Sequence, residues 1–163
     1  MRTAALHNLG CKVNSYETEA MQQLLEAAGY QIVPFHEKAD VYLINTCSVT
    51  NMADRKSRQM LHRARKQNPD AVVVAAGCYV QSASEELKKD LAVDVIIGNN
   101  KKQDLVEILE EYFQEKHQVH VIDIGNTQEY EKLKISRIAD HTRAFLKVQD
   151  GCNQFCSDRI IPY

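Results

Sequence analysis

Tryptophan is absent from the 163 residues, proline occurs three times and glycine six. That scarcity excludes collagenous repeats and Pro/Gly-rich low-complexity tracts as large parts of the chain. No apolar run approaches the roughly 20 residues that a membrane span requires. The opening residues, MRTAALHNLGCKVNS, lack the apolar core and small-residue cleavage site of a secretory signal. A cytoplasmic setting with no membrane partner is therefore expected. An excess of one charge is also missing, since 20 Lys and Arg against 22 Asp and Glu leave a net −2. No global field draws the chain to nucleic acid, so any such binding needs a local patch. A CxxC pair is absent too, which argues against a dithiol redox protein and against paired zinc knuckles. Five cysteines are an odd number and do not suggest a complete disulfide set. In a reducing compartment they read as metal ligands or reactive thiols.

What is present is a globular composition, 44% hydrophobic and 26% charged, long enough for one domain and a small remainder. Short apolar runs alternate with longer segments of helical period. Strands are expected at Thr3–Leu9, Tyr30–Pro34, Val41–Asn45, Ala71–Ala76 and Val93–Ile97. Helices are expected at Asn14–Ala28, Asn51–Gln67, Ser82–Asp90 and Lys102–Glu115. Asn14 with Glu17 and Ser82 with Glu85 stand at capping-box spacing. Met21, Leu24, Leu25 and Ala28 share one helical stripe, and Leu105, Ile108, Leu109 and Tyr112 share another. Strands alternating with helices imply right-handed βαβ units. The fold class is α/β: an open, mostly parallel five-stranded sheet with helices on both faces, flavodoxin- or Rossmann-like. Residues 1–124 form this domain in that reading and 125–143, polar and weakly periodic, form a linker. At 144–163 a new strand, Ala144–Val148, leads into GCNQFC.

The cysteines are informative by position. Cys11 follows the first strand, Cys47 the third and Cys78 the fourth. All three stand at the carboxyl ends of parallel strands, the edge where open α/β sheets bind ligands. With strand order 2-1-3-4-5 these strands are neighbours, and at about 4.8 Å per strand three thiols can converge within about 10 Å. That reach suits a cubane iron–sulfur cluster held by three thiolates. One cysteine at a strand end is usually packing. Three at equivalent places, two of them after glycine (Gly10-Cys11, Gly77-Cys78), point to a shared site, because glycine permits tight turns and close approach. Zinc, which usually takes four ligands, is the competing metal. His7 is available as a fourth ligand but reads as an ordinary strand histidine.

Cys152 and Cys156 form a CxxxC after an apolar strand. This resembles the start of the CxxxCxxC loop of radical S-adenosylmethionine enzymes, in which three cysteines leave one iron open for the cofactor. The third place is Arg159, which cannot supply a thiolate.

In order and spacing, NLGCKVNSYETE, INTCSVTNMADRKSRQ, AAGCYVQ and LKVQDGCNQFCSDRIIPY resemble segments of the radical S-adenosylmethionine methylthiotransferases. The wording is most similar to the branch acting on threonylcarbamoyladenosine beside the tRNA anticodon. The resemblance implies an amino-terminal domain with an auxiliary 4Fe–4S cluster on Cys11, Cys47 and Cys78. It also implies a radical domain with a second 4Fe–4S cluster that binds S-adenosylmethionine, and tRNA as substrate. The reaction adds a methylthio group to C2 of threonylcarbamoyladenosine at adenosine 37. An alternative is a non-catalytic iron–sulfur module, or a methylthiotransferase acting on another base. The family reads CSYCIIPYARG where this chain has CSDRIIPY, with Asp158 and Arg159 in place of tyrosine and cysteine. The expectation is an amino-terminal fragment with a complete auxiliary site and an incomplete radical site, inactive on its own.

A basic stripe runs through DRKSRQMLHRARKQ. Arg55, Arg58, His62, Arg65 and Lys66 recur at three- and four-residue steps, reinforced by Lys56 and Arg63. It reads either as a solvated helix face or, given the resemblance, as a contact for tRNA phosphates.

Overall fold

The computed structural model describes residues 1–48, 50–98 and 101–115. The expected linker, the strand at Ala144–Val148, Cys152, Cys156 and Arg159 lie outside them. Strands and helices follow in the order β1 (Thr3–Asn8), α1 (Lys12–Ala27), β2 (Gln31–Ile32), β3 (Val41–Thr46), α2 (Asn51–Gln67), β4 (Val72–Gly77), α3 (Cys78–Ser82), α4 (Ser84–Lys88) and β5 (Val95–Ile97), with no helix between β2 and β3. A 3-10 turn, Lys102–Asp104, then leads into α5 (Leu105–Glu115). The sheet order is β2-β1-β3-β4-β5 and every pairing is parallel. This is the expected doubly wound architecture.

Side chains alternate between the two faces of the sheet. One face carries Ala4, Val41, Leu43, Val72, Val74, Val95 and Ile97 under Met21 and Leu25 of α1 and Leu105, Ile108 and Leu109 of α5. The other carries Ala5, Tyr42, Ile44, Val73, Ala75 and Ile96 under Leu61 and Ala64 of α2 and Leu87 of α4. Both faces of β3 and β4 are therefore covered, and every residue of these two strands is buried. That explains the unbroken apolar sequence of β4 and of residues 41–44 in β3.

Local chemistry departs from expectation at three places. The Asn14/Glu17 capping box does not form. Helix α1 begins two residues earlier, with Cys11 as N-cap and no side-chain cap bond. Asn14 is buried inside the first turns, and its amide donates to the Leu9 and Thr46 carbonyls at 2.7 and 2.9 Å. Tertiary partners have taken over both polar side chains. The helix expected at Ser82–Asp90 is shorter, Ser84–Lys88 with Ala83 as N-cap, and a separate helix, Cys78–Ser82, precedes it. The last helix also starts later, since its first three residues form the 3-10 turn. By contrast α2 has the expected bounds, with Thr50 accepting from the Ala53 amide at 3.1 Å.

A candidate metal centre at the sheet edge

Parallel strands all end on one side, and the register sets what meets there. Asn8 pairs with Asn45 across from β1 to β3, and Thr46 pairs with Gly77 across from β3 to β4. Cys47 follows β3 directly, Cys78 follows β4 directly, and Cys11 follows β1 after Leu9 and Gly10. The topology thus brings the three sequence-predicted cysteines to one edge on adjacent strands. None is in a disulfide; Cys11 is exposed, Cys78 half-buried and Cys47 buried. Among the described residues no group of three or more His, Cys, Asp or Glu side chains is arranged as a metal site. The thiols are edge neighbours rather than a closed ligand shell.

Backbone geometry at this edge depends on glycine. Gly10 has φ +104, and a Cβ there would stand 2.6 Å from the Cys47 Sγ. Gly77 has φ +95, and a Cβ there would meet the Thr46 backbone and, at 2.5 Å, Asn45 Oδ1. Both positions combine a left-handed backbone with a close approach that only glycine tolerates. Gly10 therefore keeps open the space beside the Cys47 sulfur.

A buried polar layer supports the edge from below. The Ser57 hydroxyl donates to the Cys47 carbonyl at 3.1 Å and accepts from the Cys47 amide at 3.3 Å. Asn14 ties together the loops before Cys11 and Cys47 through the two carbonyls named above. Asn45 donates to the Asn14 carbonyl and the Thr18 hydroxyl, each at 3.0 Å. Asn8 Oδ1 and Asn45 Oδ1 are buried with no hydrogen-bond partner among the described residues. Deeper still, Lys102 and Glu17 form a buried ion pair. Burial pushes the Cys78 thiol up from its ordinary value. The Lys102 ammonium opposes that, while Cys47, Glu17 and Cys11 push it further up in decreasing measure. The thiols are close enough to feel one another.

His7 is no ligand candidate. Its ring packs on Phe35 at 5.0 Å between centroids, and burial followed by Arg63 lowers its pKa. Sequence reading missed Ser57 and Lys102. A buried serine inside a helix and a buried lysine at a helix start carry no local signal, because both owe their burial to tertiary contacts.

The basic stripe is only partly a surface. Arg55, Lys56, Arg58, Arg63 and Lys66 are exposed. Arg58 donates to the Tyr79 hydroxyl at 2.9 Å, and His62 bonds Asp90 at 2.9 Å. Arg65 turns inward, donating to the Pro69 and Ala71 carbonyls at 2.7 and 2.8 Å and pairing with Asp94. It belongs to the support of the sheet and not to an exposed face. No described helix is long and apolar enough to cross a membrane.

An open parallel sheet that gathers three cysteines at its carboxyl edge defines a class of thiol-bearing α/β domain. Residues 3–98 match the family model described as uncharacterized protein family UPF0004, and the chain belongs to that family. Relatives carry more informative names. The threonylcarbamoyladenosine tRNA methylthiotransferase MtaB of Bacillus subtilis (strain 168) is 45% identical over 100% of this chain and 36% of its own length. The protein of the same name from Aquifex aeolicus (strain VF5) is 42% identical over 98% of this chain and 39% of its own length. The tRNA-2-methylthio-N(6)-dimethylallyladenosine synthase of Ehrlichia canis (strain Jake) is 30% identical over 100% of this chain and 38% of its own length. The chain is thus homologous to methylthiotransferases and spans somewhat over a third of the length of these relatives.

Proposed function

We propose that the chain is part of a tRNA methylthiotransferase that adds a methylthio group to C2 of threonylcarbamoyladenosine at adenosine 37. In this reading Cys11, Cys47 and Cys78 hold an auxiliary 4Fe–4S cluster. The observation that carries it is the meeting of three cysteine-bearing strand ends on adjacent parallel strands. The donor set fits: thiolates select soft, thiophilic metals and clusters over hard cations. The space that Gly10 leaves beside the Cys47 sulfur favours an inorganic core there. When bound, such a cluster supplies an iron that three-thiolate ligation leaves open, at which sulfur can be held.

The chain's own residues position the ligands. Ser57 fixes both backbone polar groups of Cys47, and Asn14 joins the Cys11 and Cys47 loops. Cys152 and Cys156 belong to the S-adenosylmethionine site in the same reading. Arg159 stands where a third thiolate is needed, so this chain alone does not methylthiolate tRNA. The setting is cytoplasmic, where thiols stay reduced. tRNA phosphates meet Arg55, Arg58 and Lys66 on the exposed side of α2, an attraction that weakens steeply with salt. Changing Arg55 and Lys66 to glutamate weakens tRNA binding by the chain; unchanged affinity removes the α2 contact from the account.

Anaerobic reconstitution with iron and sulfide tests the cluster. The expected product is brown, with about four irons per chain as in a cubane cluster. Cys47→Ala abolishes that iron, whereas Cys152→Ala keeps it. A colourless zinc-containing product, or iron that survives Cys47→Ala, overturns the reading.

A further inference from the structure

The three thiols share one edge but are not equivalent. Cys47 is 4% exposed, and its backbone is held on both sides. The Ser57 hydroxyl accepts from its amide and donates to its carbonyl. The Asn14 amide holds the carbonyl of Thr46, the residue before it, at 2.9 Å. Cys78 is half-buried. It opens α3 directly behind Gly77, whose left-handed backbone lies against the Thr46 backbone. Cys11 alone of the three is exposed. Its carbonyl accepts from the Ser15 amide at 3.1 Å in the first turn of α1. Its thiol makes only a long contact, 4.0 Å to Asn14 Oδ1.

Cys11 is nevertheless tied to the same site. The Asn14 carboxamide meets the Cys11 sulfur through its oxygen and the Thr46 carbonyl through its nitrogen. Gly10, the residue before Cys11, passes so near Cys47 that a Cβ there would stand 2.6 Å from its Sγ. The site therefore has a closed side at Cys47 and an open side at Cys11. A buried thiol on a clamped backbone is ordered before any metal arrives, and solvent cannot deliver a substitute for it. An exposed thiol must give up rotamer freedom on ligation, and a solvent molecule with the same donor atom can take its place. Reactions of thiolates depend on access in this way.

We infer that Cys11 is the exchangeable ligand of the three-cysteine site and marks the side from which a small external thiolate reaches the metal, whereas Cys47 is a fixed ligand. This rests on the reading that Cys11, Cys47 and Cys78 hold a 4Fe–4S cluster. The exchange needs no oxidant or reductant. The incoming thiol gives its proton to solvent, and its sulfur forms the bond to iron that the Cys11 sulfur otherwise makes. No electron moves and the charge at the site is unchanged. The class of ligand admitted is a small, soft, monoanionic sulfur donor.

The test is chemical rescue. All chains, the parent included, carry Cys152→Ala, which breaks the pair with Cys156. Cys11→Ala and Cys47→Ala are reconstituted anaerobically with iron and sulfide under a thiol-free reductant, with and without 2-mercaptoethanol. Iron per chain and the visible absorption of the product are measured, and thermal unfolding checks the fold. Without added thiol both variants are expected to lose most of the iron that the parent binds. With it Cys11→Ala recovers iron toward the parent level, and Cys47→Ala does not. Cys47→Ser keeps the size of the buried side chain and guards against a loss of fold in Cys47→Ala; it too gains no iron from added thiol. If the parent loads iron but the thiol fails to restore Cys11→Ala, or restores the Cys47 variants equally, the inference is overturned while the cluster reading stands. Full iron in Cys11→Ala without added thiol also overturns it, since Cys11 is then no ligand. If the parent takes up no iron, the cluster reading falls and the inference falls with it.

Discussion

The two ends of this sheet are built on opposite principles. At the amino-terminal end most loose polar groups are tied down, although Arg65 Nε and Gln67 Oε1 are buried without a hydrogen-bond partner among the described residues. Asp40 accepts from the Thr3 amide and hydroxyl at 2.8 and 2.9 Å, and Asn68 donates to the Ala39 carbonyl at 2.8 Å. Arg65 joins the Pro69 and Ala71 carbonyls to Asp94, which itself accepts from the Val73 amide at 2.7 Å. At the carboxyl end the chain does the reverse. It places two glycines at positive φ where a Cβ would collide, buries an ion pair and lines up three thiols. One end closes the fold, and the other keeps close backbone approaches and a row of thiols where a ligand can use them.

That contrast can be broken by substitution at either end. The largest effect on stability is expected from Arg65→Ala, which strips the amino-terminal end of its central donor. A loss of roughly 2–4 kcal/mol follows from a largely buried ion pair and two carbonyls left without partners. Thermal unfolding measures it, and iron uptake per folded chain is unchanged. If Arg65→Ala removed iron while the chain stayed folded, the division between the two ends would be false. Gly10→Ala acts on the other end. Its backbone conformation costs about 1–3 kcal/mol, and its Cβ collides with the Cys47 sulfur, so iron uptake falls along with stability. Ser57→Ala is milder, about 1–2 kcal/mol for a buried hydroxyl with two bonds, and shows in a denaturant midpoint.

The smallest effect is one of pH. His7 has its pKa lowered below the ordinary 6.5 by burial and by Arg63. Above 6.5 the ring is neutral in both states and contributes no pH dependence. As pH falls through that value the unfolded chain takes up the proton first, so stability declines until the folded pKa is passed. His7→Gln flattens this part of a stability–pH profile. An unchanged slope would contradict the burial assigned to His7.

Much of this was legible in the residues. Apolar runs of four to six residues separated by helical stripes imply β3, α2 and β4 directly, because strands buried on both faces favour apolar residues on both. Strand order and the shared edge of Cys11, Cys47 and Cys78 follow from the βαβ logic. What escaped was decided between elements distant in sequence. Asn14 and Glu17 look like a cap in isolation, yet the Leu9 and Thr46 carbonyls claim one and Lys102 the other. Arg65 has the helical spacing of a surface stripe, but at the end of α2 it reaches the loops that enter β4 and β5. Local spacing cannot distinguish a cation for solvent from a cation for the core.

The central claim is that three named thiols hold one group together. Thiol alkylation of the chain before and after anaerobic reconstitution, read residue by residue by mass spectrometry, tests it most directly. Cys11, Cys47 and Cys78 are expected to be modified in the metal-free, denatured chain and jointly protected in the iron-loaded one. Full labelling of any one of the three in chains that retain about four irons would contradict the account.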